Sequence, residues 1–174
     1  MAAALEQIRT PPRPLRGGLH CSQSATAAAG LPLSPHVGYP AGMSGRAADW
    51  FRQAEADLEH ARHALRDAHY EWACFAAQQA AEKAAKAAHA ALGQEAWGHV
   101  VTELLEALQP HEAGIDDPLL DRARALDKLY IPTRYPNGLA GGAPADFYTR
   151  SEAERAISDA QAVLGLCGRV LSRA

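Results

Sequence analysis

"YEWACFAAQQAAEKAAKAAH", residues 70–89, decides the fold. Alanine is the strongest helix former because it gives up no side-chain freedom, and neither glycine nor proline interrupts the run. The pattern extends from Tyr70 to Leu92, with Trp72, Phe75, Ala76, Gln79, Ala80 and Lys83 ahead of an alanine-rich tail. Gly93 follows as a C-terminal cap. So much alanine beside an aromatic content of 6% suits closely packed helices rather than a sheet.

The flanking segments repeat the same period. Before the central run, Trp50, Ala54, Leu58, Ala61 and Leu65 form one stripe and predict a helix over roughly 46–67. After it, His99–Gln109 reads as a short helix that His99 caps, with Val100, Val101, Leu104, Leu105 and Leu108 inward and Pro110 closing it. Asp117 before Pro118 signals a fourth helix with Leu119, Ala123, Leu126 and Tyr130 on one face. That helix must end near Tyr130, because Pro132 lacks a donor and disfavours helix at Ile131. A long loop with Gly138, Gly141, Gly142 and Pro144 follows, of a length that is often functional. Ser151 and Glu154 then make a capping box for a last helix whose buried face carries Ala153, Ile157, Ala160, Leu164, Cys167 and Leu171. No strand is expected, so the fold class is all-α.

At 174 residues the chain fits one domain, taken as 43–174. Residues 1–42, with six prolines, five glycines and no helical or strand period, are expected to be disordered. Met43, where the periodic pattern begins, is an alternative translation start, which would make 1–42 a dispensable or misassigned extension. Arg9, Arg13 and Arg16 against Glu6 leave the remainder at about −5 of the total −3, too acidic to coat nucleic acid without sequence preference. Any such contact must be local. No apolar run approaches eighteen residues, so no membrane span is expected. Cys21, Cys74 and Cys167, odd in number and far apart, read as reduced thiols of a cytoplasmic protein. His60 and His63 lack further ligands at metal-site spacing, and neither metal nor cofactor is expected.

Two stretches carry candidate chemistry. Gln79, Lys83 and Lys86 lie on one side of the central helix, with Glu82 one turn from Lys86. Spacing alone favours a solvated face that keeps an alanine-rich helix soluble. The second stretch, "YIPTRYPNG" at 130–138, places Arg134 between Tyr130 and Tyr135 on a turn stiffened by Pro132 and Pro136. A guanidinium fork suits phosphate and the rings suit stacking on a base. Asn137 before Gly138 makes a turn or donates to an oxygen. In the competing reading the tyrosines plug the bundle end and Arg134 satisfies helix-terminal carbonyls.

Taken in order, "AADWFRQAEADLEHARHAL", "QQAAEKAAKA", "HVVTELLEAL" and "YIPTRYPN" resemble the HEPN family over about 43–173. The resemblance implies an up-and-down bundle of four or five helices, commonly a homodimer. It further implies binding of a nucleotide or RNA, and work beside a nucleotidyltransferase partner in toxin–antitoxin or defence systems. The site residues expected on this basis are Arg134, Tyr130, Tyr135, Asn137, Lys83 and Gln79. His99 coincides with a histidine that often opens this helix in family members.

Many relatives cleave RNA without metal, using an arginine, four to six residues, and then a histidine. Arg134 is followed by "YPNGLAGG", and no histidine lies beyond His111. Arg62 and His69 fit the spacing but fall at the end of the first helix, so binding without cleavage is expected. The alternatives are a metal-independent endoribonuclease and a non-catalytic dimeric scaffold.

Overall fold

The computed structural model describes residues 45–174; the segment 1–42 and its expected disorder lie outside the described residues. Among the described residues five helices form, α1 (Gly45–Arg66), α2 (Tyr70–Ala91), α3 (Val101–Leu108), α4 (Asp117–Asp127) and α5 (Arg150–Leu171). Short 3-10 turns lie at Pro136–Gly138 and Pro144–Asp146, and the described residues contain no strand. The all-α expectation holds. None of these helices is long and apolar enough to cross a membrane.

The alanine run places α2 at the centre. It packs along α1, to which a three-residue link joins it as an αα-hairpin, and also against α5. Ala54 and Ala61 of α1, Ala73, Ala77, Ala80, Ala81, Ala84 and Ala88 of α2, and Ala153 and Ala160 of α5 are all fully buried. Methyl groups at these faces let the backbones approach closely, and interaxial distance follows side-chain size. Bulk comes from elsewhere: α3 and α4 pair beside this layer, and Leu105, Leu108, Leu126 and Leu166 are its largest fully buried apolar side chains. Cys74 and Cys167 are buried as expected, and burial pushes both thiols up to about 12.

The caps differ from the sequence expectation in three places. For α4 the capping side chain is Asp116, which accepts from Leu119 N at 3.0 Å, so Asp117 and Pro118 already lie inside the first turn. For α5 the box is Thr149 and Glu152, with Thr149 N donating to Glu152 Oε2 at 2.9 Å. Thr149-x-x-Glu152 and Ser151-x-x-Glu154 have the same form, and the earlier pair wins because it adds half a turn of helix. The third case is α3, which is capped from outside. Asp127, the last residue of α4, accepts from Val101 N at 2.6 Å, from Thr102 N at 3.2 Å and from Thr102 Oγ1 at 2.6 Å. This frees His99 for another role and makes Val100 the N-cap residue; its extended backbone turns it out of the expected stripe, to 39% exposure.

Gly93 adopts φ +70 after α2, as the C-cap expectation requires, and Gln94 N closes the helix on His89 O at 2.9 Å.

Candidate functional site

Helix α4 does not stop cleanly. Tight turns carry it onward, with Tyr130 N bonded to Asp127 O at 3.3 Å and Arg134 N to Ile131 O at 3.1 Å. Pro132 breaks the regular ladder, and Thr133, buried, closes back on Leu129 O through its hydroxyl at 2.6 Å. Arg134 therefore stands one turn past Tyr130. Its Nε and Nη2 both donate to Tyr130 O, at 3.0 and 2.8 Å, which leaves Nη1 without a hydrogen-bond partner among the described residues.

Three rings surround the guanidinium. Its central carbon lies 4.4 Å from the Phe75 ring of α2, 4.7 Å from Tyr130 and 5.1 Å from Tyr135. Each such contact contributes on the order of 0.5–2 kcal/mol, more where water is excluded. Arg134 thus satisfies a helix-terminal carbonyl, as the competing reading of this turn expected, while its guanidinium lies among the three rings.

The Asp127 cap explains what lies next to it. By tying the start of α3 to the end of α4, it sets the His99 imidazole flat on Tyr130, with centroids 4.9 Å apart and planes 16° from parallel. His99 Nδ1 donates to Glu82 Oε1 at 3.1 Å. Glu82 is 4% exposed and also accepts from Lys86 Nζ at 2.9 Å and from Gln79 Nε2 at 3.1 Å. Gln78, fully buried, donates to His99 O at 3.1 Å and holds the loop in place. Burial alone would raise the Glu82 carboxyl, but the hydrogen bond and charge of Lys86, together with His99, outweigh it and hold the group below the usual carboxylate range.

The expected site residues separate into three groups. Arg134, Tyr130 and Tyr135 come together as anticipated. Gln79 joins the Glu82 network, and Lys83 is drawn away, in an ion pair with Asp57 of α1 while Gln79 Oε1 accepts from it at 3.3 Å. Asn137 sits exposed on the Pro136–Gly138 turn and contributes no side-chain hydrogen bond to the cluster among the described residues. Sequence reasoning missed Phe75, Glu82 and His99 as site members. The Glu82–Lys86 spacing signalled an ion pair but not its burial, and nothing local connects His99 to either Glu82 or Tyr130.

Elsewhere, Arg62 pairs with Glu59 at 3.0 Å, while His69 borders a recess of about 320 Å³ shared with His60, His63 and Trp72. Among the described residues no group of three or more His, Cys, Asp or Glu side chains is placed to hold a metal ion.

Comparison with known proteins agrees with this architecture. "Putative toxin MJ1304" of Methanocaldococcus jannaschii is 31% identical over 124 residues, covering 66% of this chain and 81% of that protein. The crystal structure of TT1696 from Thermus thermophilus matches at 48% identity and a TM-score of 0.71, over 74% of this chain and all of that one. ST0689, an archaeal HEPN homologue, matches at 38% identity and a TM-score of 0.61, over 73% of this chain and 99% of its own. A HEPN domain protein of Thermotoga maritima (tm0613) matches at 40% identity and a TM-score of 0.60, over 72% of this chain and 99% of its own. The family model described as the HEPN domain matches residues 47–170, and the chain belongs to the HEPN family.

Proposed function

We propose that this HEPN protein binds the phosphate of a nucleotide or RNA at the Arg134 end of the bundle, as a cytoplasmic homodimer acting with a nucleotidyltransferase partner in a toxin–antitoxin or defence-type system. Family membership and likeness to a protein named as a toxin support the toxin-type role. The observation that carries the binding role is the caged guanidinium. Three rings and a carbonyl hold Arg134 in one orientation before any ligand arrives, so little ordering entropy opposes capture through Nη1. Exposed Tyr135 offers a face for a base. Gln79 reaches the site through Glu82, whereas Lys83 is engaged with Asp57 of α1.

Titration of ATP, GTP and a short single-stranded RNA against wild type and Arg134→Ala tests this reading. Losing a charge-assisted phosphate contact weakens binding by about 1.5–3 kcal/mol, roughly ten- to hundredfold in Kd. Equal affinity in both proteins would reject the role of Arg134. The cleavage alternative is checked by incubating RNA with the protein in EDTA. Cleavage abolished by Arg62→Ala and by His69→Ala would replace the binding reading with an enzymatic one.

A further inference from the structure

Resting on that reading, we infer that His99 is the second ligand-facing group of the Arg134 site, donating to the bound phosphate through Nε2, and that Glu82 is the residue that positions it.

The geometry leaves His99 only one role toward a ligand. Glu82 is a buried, ionised carboxylate and can only accept, so the proton on His99 Nδ1 is committed to it. The outward nitrogen, Nε2, has no partner among the described residues, and the side chain is 57% exposed. His99 and Arg134 both lie against the Tyr130 ring, at 4.9 and 4.7 Å, so they stand no further apart than those two distances together. Both groups thus border the same ring, and a phosphate accepting from one on each side is the bridge inferred here. Lys83 and Lys86 are each already paired with a carboxylate.

Proton coupling follows from the same arrangement. When neutral, His99 presents a lone pair at Nε2 and opposes an anion; when cationic, it presents a donor. The charged and titratable groups around it are Glu82 and Lys86 from α2, and Tyr130 and Arg134 from the turn after α4. A ligand phosphate adds a second anion and draws the proton on, so capture takes up a proton.

The test uses the full chain with fluorescein-labelled hexa-adenylate, whose diester phosphates hold one charge each across this pH range. In a second arm ATP competes for the probe, which separates a polynucleotide from a mononucleotide as the source of the phosphate. Wild-type affinity should weaken about tenfold from pH 6 to pH 8. His99→Gln, which keeps a polar side chain but cannot titrate, should bind at the weak pH 8 level throughout. Glu82→Ala, which frees the imidazole to turn, should weaken binding at pH 6, and Glu82→Gln, whose amide oxygen still accepts from Nδ1, should restore most of it, whereas a merely structural role for Glu82 would leave both variants equally weak. A wild-type profile that is flat, or a pH dependence that survives in His99→Gln, overturns the assignment. If Arg134→Ala weakens binding and His99→Gln does not, His99 alone is lost. If wild type binds neither probe, the Arg134 reading falls and takes this inference with it.

Discussion

Ala68 adopts φ +62 in the link between α1 and α2, where His69 N closes back on Ala64 O at 2.8 Å. Glycine is the residue such a cap ordinarily uses, since a Cβ in the left-handed region costs about 1–2 kcal/mol. Ala68→Gly is expected to stabilise the fold by about 0.5–1 kcal/mol after the added freedom of the unfolded chain is offset. Urea denaturation reads the change directly, and a lower midpoint would contradict the strain argument. At this scale much of the site was legible: Arg134 between two tyrosines is visible in six consecutive residues, and the structure keeps all three together. Asn137 was read from the same stretch and is not part of the cluster, because the Pro136–Gly138 turn carries it into solvent. Chain adjacency ensures proximity but not direction.

Among the elements, α3 depends most on its neighbour. Eight residues are too few to hold a helix by their own propensity, and its first amides are satisfied by Asp127 rather than by a residue of its own segment. Asp127→Ala should cost about 1–2 kcal/mol, at the upper end of cap deletions because the partners are part-buried. Chemical denaturation checks it, and a cost under a few tenths would mean that water replaces the carboxylate. Helix existence was legible throughout and facing at most positions, since a 3.6-residue apolar period is a local property; the face expected for α5 is buried at every position named, whereas Val100 of the α3 stripe is not. Caps were less legible. Two overlapping boxes before α5 are chemically alike, and an external cap leaves no local signature at all.

For the whole molecule, the decisive contact is the buried Glu82 carboxylate, which joins α2 to the loop before α3. Its folded-state pKa is depressed, so it contributes stability above the ordinary carboxylate pKa and loses it as pH falls through the folded value. Glu82→Gln should therefore lower Tm near pH 7 and converge on wild type in strong acid, below the folded pKa. Thermal melts across pH 2–7 measure this, and a constant gap would show that the carboxylate's charge is not what matters. The amino-acid sequence by itself determined the five helices, their buried faces and the aromatic-flanked arginine, because each follows from neighbours within a few turns. Only the tertiary structure decided that Glu82 is interior, that Lys83 is spent on Asp57, and that His99 rests on Tyr130. Those contacts join residues of separate helices, and which side chains meet there is set by the close fit of alanine faces, a property of the packed bundle rather than of any one segment.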